Sequence, residues 1–371
     1  GFVDRLKHII KPEIEAIGQR FRAAGQLDLV EDVARRLPLV VIKGFYGVAA
    51  PQPVMGEILS KTQVAHFFDK THFDELPLLW QQRYADYGFK TTPDETLLFW
   101  VRMLFLEVFL NQYNVGFITQ LAKNATNELL PHLEQQIQQR LHAETRGASM
   151  MSRFITLYRN QYGLEGRQLV LAVRQSILEL MVGSTDTTAK GISMVVKTLL
   201  DIGNDLPGGF RWVIGGNTDA QNLLQHWLAA DERVRATLDA KFDQLLNSVI
   251  TTCLRKNPVA PLLPRYCTSG ATYTTSAGEV INIEPGAVVC LVSQVTLGAN
   301  LKGGVPPEQE RFIFMDGTPH GCMGHEIAML EIREALKMLL AIPQVRPAAG
   351  AHGVMTEKYK MPARMMLRCN S

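Results

Sequence analysis

The 371-residue chain has no long apolar run, no block of like charge and no cysteine framework, and each absence removes a class of protein. Its longest candidate for a membrane span, Leu37 to Ala50, is broken by Lys43, whereas a bilayer crossing needs roughly 18 unbroken apolar residues. Basic and acidic residues number 38 and 36, leaving a net charge of +2 with no Lys/Arg block, so nucleic acid is not an expected partner. The five cysteines, Cys253, Cys267, Cys290, Cys322 and Cys369, form no Cys-x-x-Cys pair. That spacing argues against a disulfide scaffold or structural zinc site and points to a reducing, cytoplasmic setting. The opening stretch, Gly1 to Lys7, lacks the apolar core of a signal peptide. Zinc-protease, serine-elbow and phosphate-cradling motifs do not occur either.

What is present is the composition of an ordinary globular protein, 46% hydrophobic and 20% charged, long enough to bury a sizeable core. Apolar residues recur at three- and four-residue spacing over Phe2 to Ala24, Leu27 to Val48, Pro93 to Gln112, Val115 to Ala143, Arg167 to Asp201 and Ala220 to Lys256, which predicts helices. Asp94 and Glu95 beside a proline mark a helix start. Ala49 to Lys90 reads as a loop-rich excursion, and the glycines between Gly203 and Asn217 read as turns. Beyond Pro258 the pattern alternates: Ala271 to Val295 is β-branched and broken at Ala277-Gly278 and Pro285-Gly286, which predicts short strands. A Gly/Pro-rich coil, Gly298 to Gly321, then leads into a helix over His325 to Ile342, and Met361 to Cys369 reads as one more strand. The expectation is a mainly α protein with a small β region, built as one domain: helical over 1–257, β region and cysteine loop over 258–324, helix and strand over 325–371.

The segment with the most chemistry is Phe314-Met-Asp-Gly-Thr-Pro-His-Gly-Cys-Met-Gly-His-Glu326. It sets Cys322 just ahead of a helix, where free amides and the positive end of the helix dipole favour a thiolate. Gly321 and Gly324 flank the sulfur and let backbone lie flat against a large planar ligand. A second unusual patch, Gly183-Ser-Thr-Asp-Thr-Thr188, interrupts a helix that is otherwise apolar nearly all round, from Leu169 to Leu199. Its hydroxyls can bond back to the preceding turn and open a small polar pocket there.

Together these segments resemble the cytochrome P-450 superfamily. Phe314, Gly317, His320, Cys322 and Gly324 follow the order of its cysteine-ligand loop, with one residue more between Phe314 or Gly317 and the cysteine. Ala328 to Glu331 resembles the start of the helix after the ligand, and Gly183 to Thr188 the distal-helix motif. Leu254 to Arg265 is similar to the end of the Glu-x-x-Arg helix and the strand after it, with Arg255 as the motif's Arg but Thr252 in place of its Glu. Ile283 to Val289 and Glu310-Arg311-Phe312 are similar to a later strand and to the meander. The resemblance covers about 165 to 370 in order; Phe2 to Ile17 resembles a stretch well inside the family's chain, which implies that the family's N-terminal part is lacking or diverged here.

The resemblance implies a cytochrome P-450-like fold holding a b-type haem, with Cys322 as the metal ligand and Arg265 and His320 on the propionates. Phe314, Gly317 and Gly324 would shape the ligand loop, and Asp186 with Thr187 would be catalytic, moving protons during oxygen activation. It implies a monooxygenase that inserts one atom of O2 into a small apolar organic substrate lined by Met181 and Val182. Electrons would come from a separate ferredoxin or flavoprotein reductase, with Arg311 and Arg333 as docking charges. Two other activities share the haem: a fatty acid hydroperoxide isomerase, dehydratase or peroxygenase, and a noncatalytic haem-binding domain. His325 is expected to be a solvent-facing residue of the helix's first turn.

Overall fold

The computed structural model describes residues 1–51, 92–111, 114–143, 147–203, 210–214, 218–261, 263–275, 277–292, 311–314, 321–358 and 361–369. They are mainly helical with short strands, as the sequence predicts. They fall into two compact units: Gly1–Lys190 with Glu326–Pro343 and Pro347–Ser371, and Gly191–His325 with Gln344–Arg346.

In the first unit, helix Phe2–Ala24 buries Leu6, Ile10, Ile17 and Phe21, a spacing that puts all four on one face. It stops at Gly25, whose left-handed φ of 67° lets its amide reach the Phe21 carbonyl at 2.9 Å. The single helix expected over Leu27 to Val48 does not form. Instead a strand, Gln26–Asp28, is followed by a π-helical stretch Leu29–Ala34, an α-helix Arg36–Val41 and a second π-helical stretch Ile42–Tyr46. The cause is local and tertiary at once. The Asp28 carboxylate accepts from the amide of Val30 at 2.9 Å, so winding starts only after it. Meanwhile Gln26–Asp28 pairs antiparallel with Met366–Arg368.

That pairing also corrects the tail, which is two strands rather than one. The Leu29 amide donates to the Met365 carbonyl at 2.9 Å and the Met365 amide to Asp28 Oδ1 at 3.3 Å. Met365 therefore serves as the corner between Met361–Arg364, which pairs with Thr356–Lys358, and Met366–Arg368.

Helix Pro93–Phe105 starts where Asp94 and Glu95 predict, closed by a reciprocal cap: the Glu95 amide donates to Thr92 Oγ1 at 3.2 Å and the Thr92 amide to Glu95 Oε2 at 2.8 Å. Helices Gly116–His142 and Gly166–Gly203 match their sequence periodicity to within a few residues. Helix Met150–Tyr162 is not among the sequence expectations, although Ser149 caps its start and Gly163, at φ 64°, ends it. Helix His325–Leu340 buries Ile327, Leu330, Met338 and Leu339, as its pattern predicts. It also buries Glu331, Arg333 and Lys337, so Arg333, 7% exposed, does not present a docking charge to solvent.

In the second unit, helices Thr218–Ala229 and Glu232–Lys256 are joined through Trp227, which stacks on Phe242 at 4.6 Å and donates from Nε1 to Asp239 Oδ1 at 3.0 Å. The predicted β region is two antiparallel ribbons, Leu263–Tyr266 with Val288–Leu291 and Ala271–Thr274 with Val280–Ile283. Helix Glu232–Lys256 packs on the 3-10 turn Arg311–Phe314, from which the cysteine loop departs. The expected excursion beyond residue 51 lies outside the described residues, as does the coil from Gly298 except for the turn Arg311–Phe314 and Gly321. Among the described residues no helix is long and apolar enough to cross a membrane.

Candidate functional site

The cysteine loop closes on itself through backbone. The Cys322 amide donates to the Phe314 carbonyl at 2.8 Å, and the Cys322 carbonyl accepts from the His325 amide at 3.3 Å. The loop's first and last residues thus hold both main-chain groups of the cysteine, which sits just ahead of helix His325–Leu340. Cys322 is exposed, as is Met323. On the flank, a Cβ added at Gly324 meets Cys322 Sγ at 3.8 Å, an ordinary contact, so the glycine leaves the sulfur's side open rather than relieving a clash. Gly317 and His320 lie outside the described residues. His325 is half-buried, and its ring stacks on Phe314, with centroids 4.0 Å apart and planes 18° from parallel.

Arg265 lies on strand Leu263–Tyr266, opposite Val289, and donates from Nη1 to the Pro264 carbonyl at 2.9 Å. Arg255 is buried near the end of its helix, and its Nε and Nη2 have no hydrogen-bond partner among the described residues. Thr252, standing where the resemblance would have a Glu, donates its hydroxyl to the Ser248 carbonyl at 2.9 Å. Position 252 therefore offers Arg255 no countercharge.

In the other unit, the hydroxylated patch of helix Gly166–Gly203 behaves as its sequence predicts. Thr185 donates back to the Met181 carbonyl at 2.6 Å and Thr187 donates back to the Gly183 carbonyl. Thr187 thereby keeps its lone pairs for a further donor. Nothing among the described residues comes within 4 Å of a Cβ built at Gly183, so the helix has open space beside the patch. Met181 and Val182, one turn earlier, are buried.

Asp186 is buried and forms an ion pair with Arg102, Oδ1 to Nε at 3.2 Å, while its Oδ2 has no hydrogen-bond partner among the described residues. Arg102 comes from helix Pro93–Phe105 and was invisible to sequence reasoning, because no spacing rule links residues so far apart. A second carboxyl, Glu331, is fully buried with neither oxygen hydrogen-bonded among the described residues. Burial alone pushes its pKa well above the usual carboxylate value.

No family model matches the chain, and no curated protein does. Solved structures do. The chain is similar to P450BioI in complex with an acyl carrier protein ligated with hexadec-9Z-enoic acid, at 15% identity and a TM-score of 0.59, covering 100% of this chain and 75% of that one. It is similar to CYP154A1 from Streptomyces coelicolor A3(2), at 17% identity and a TM-score of 0.56 over 99% of this chain and 74% of that one. Substrate-free CYP109E1 from Bacillus megaterium is a comparable match, at 15% identity and a TM-score of 0.58 over 99% and 76%. The chain has the cytochrome P-450 fold.

Proposed function

We propose that this chain is a haem-thiolate monooxygenase in which Cys322 ligates the iron of a b-type haem. The observation that carries the reading is the hold on Cys322: both its backbone groups are tied, its side is left open by Gly324, and it stands ahead of a helix in a chain with this fold. Such a residue fits haem iron, because a soft thiolate is a preferred donor and the dipole of the following helix favours its anionic form. Bound haem would supply activation of O2 for insertion of one oxygen atom into a C–H bond.

The remaining roles fall to residues of this chain. Arg265 and His320 would hold the propionates, and Phe314, Gly317 and Gly324 would shape the loop around the sulfur. Asp186 would carry a proton and Thr187 would accept a hydrogen bond from the group receiving it; Thr187 already gives its own hydrogen to Gly183, which leaves it the acceptor's part. The apolar Met181 and Val182 would face a small apolar substrate. A ferredoxin or flavoprotein reductase would supply electrons.

The test is the absorption spectrum of the reduced protein under carbon monoxide, for wild type and Cys322→Ala. A strongly red-shifted Soret band that disappears in the variant supports the reading. A haem band indifferent to the variant, or no haem band in either, sinks it.

One observation favours a second reading. Asp186 is tied to Arg102, and a hydroperoxide isomerase or peroxygenase needs no acid to deliver protons to O2. Turnover of a fatty acid hydroperoxide without reductase, and none with NAD(P)H and a reductase, would select it.

A further inference from the structure

We infer that His325 is a positioning residue for the Cys322 sulfur, acting through its stack on Phe314; the inference rests on Cys322 being the haem ligand for its consequence, though not for its geometry. The residues whose rings meet are the same two that bond Cys322's backbone. Phe314 supplies the carbonyl that takes the Cys322 amide at 2.8 Å, and His325 supplies the amide that meets the Cys322 carbonyl at 3.3 Å. Their rings lie 4.0 Å apart, centroid to centroid, and 18° from parallel. The contact therefore closes the loop a third time, through side chains. With both ends of the loop joined, the backbone on either side of Cys322 is held.

The loop needs such a closure for reasons visible in its composition. Between Phe314 and Cys322 lie Gly317 and Gly321, and Gly324 follows the cysteine, so the segment has much backbone freedom to lose. The Cys322–His325 bond is long, and Cys322 and Met323 are exposed and bury little side chain to hold the turn. A flat aromatic pair across the ends restricts the loop. Position 325 is thus a ring position: phenylalanine or tyrosine should substitute for histidine, and alanine should not.

The test compares wild type, His325→Ala and His325→Phe in two arms. In the first, haem-free protein is alkylated with iodoacetamide and labelling of each cysteine is followed by mass spectrometry, with exposed Cys290 as the internal reference. The expected result is that His325→Ala changes the Cys322 rate relative to Cys290 by about fivefold, the size of a lost aromatic pair, and that His325→Phe restores it. An unchanged ratio in His325→Ala, or a ratio in His325→Phe equal to that of alanine, overturns the inference. A general loss of folding would expose buried Cys253 to the reagent, so labelling of Cys253 marks that outcome and keeps it apart from a change at Cys322 alone. In the second arm, the haem-loaded variants are reduced under carbon monoxide. Alanine should raise the fraction of complex without the red shift, and phenylalanine should return it. Equal fractions in all three proteins overturn the role in haem ligation. If wild type shows no red-shifted band at all, the proposed function fails while the alkylation arm still decides the stack.

Discussion

Arg102 and Asp186 are paired in a place where neither charge is readily solvated: the guanidinium side chain is 15% exposed and the carboxylate side chain 4%. A charge so placed costs several kcal/mol if its partner is lost, whereas replacing both members by apolar groups is often neutral. We expect Arg102→Leu and Asp186→Leu each to lower stability by about 3 kcal/mol, and the double variant by much less than their sum. Urea unfolding of the four proteins measures this, and strictly additive losses would show that the two residues are not coupled. The pair also bears on turnover. If Asp186 carries protons, Arg102→Leu should change the pH profile of oxygen-dependent activity, and leave hydroperoxide-dependent activity, which needs no such proton, with an unaltered profile.

Glu331 carries a pH signature of opposite sign to that of a salt-bridged acid. Its folded pKa is raised by burial, so above the unfolded value the unfolded chain releases a proton that the folded chain retains. Stability from this group is therefore greatest at low pH and falls as pH rises from the unfolded carboxylate range toward the folded pKa. Glu331→Gln removes this slope while keeping the shape. Relative to wild type, the variant should gain about 1.4 kcal/mol for each pH unit above the unfolded carboxylate range over which the folded chain keeps its proton. Melting curves across that range check it; a constant difference between the two proteins would mean that Glu331 is not held neutral.

These two carboxyls show where sequence reading stops. The cysteine loop and the polar patch of the long helix were legible because both are local: glycine beside cysteine, and hydroxyls one turn from the carbonyls they bond. The helices of Phe2–Ala24 and Gly166–Gly203 were legible from periodicity for the same reason. Leu27 to Val48 misled because its apolar spacing suits a helix, while the partner that draws Gln26–Asp28 into a strand lies at Met366–Arg368. Arg102, on a different helix, could not be assigned to Asp186 for the same reason. The half-buried His325 stacks on Phe314, a contact the sequence does not announce because a helix start says nothing about an aromatic ring across a loop.

The cysteines should separate sharply by reactivity. Burial pushes the Cys253 thiol up to about 12, against a small opposing pull from Lys256, while Cys290 and Cys322 are exposed. The reactive species is the thiolate, so at about pH 8 Cys253 is both shielded and protonated. Iodoacetamide should label Cys290 and Cys322 in the native protein and reach Cys253 only in denaturant. Native-state labelling of Cys253 at a rate comparable to Cys290 would contradict its burial.

Arg255 offers the most direct repair. Its guanidinium is buried with Nε and Nη2 lacking partners among the described residues, and buried donors left unmet cost more than their bonds would return. Thr252 stands one turn earlier on the same helix, where residues three apart are neighbours, and its hydroxyl is occupied with Ser248. Thr252 is too short to reach along that turn; a glutamate carries its oxygens two carbons further out and adds a charge. We expect Thr252→Glu to stabilise the protein by about 1 kcal/mol, which for a chain of this size is a rise in melting temperature of about 1 °C. Thr252→Gln should recover part of the gain, since it accepts a hydrogen bond without the charge. Because residue 252 is exposed, a glutamate that found no partner would leave the melting temperature where it was, and that result would show that Arg255 is already satisfied. A gain that persists in Arg255→Met would show instead that the glutamate acts elsewhere, so the double variant separates the two explanations.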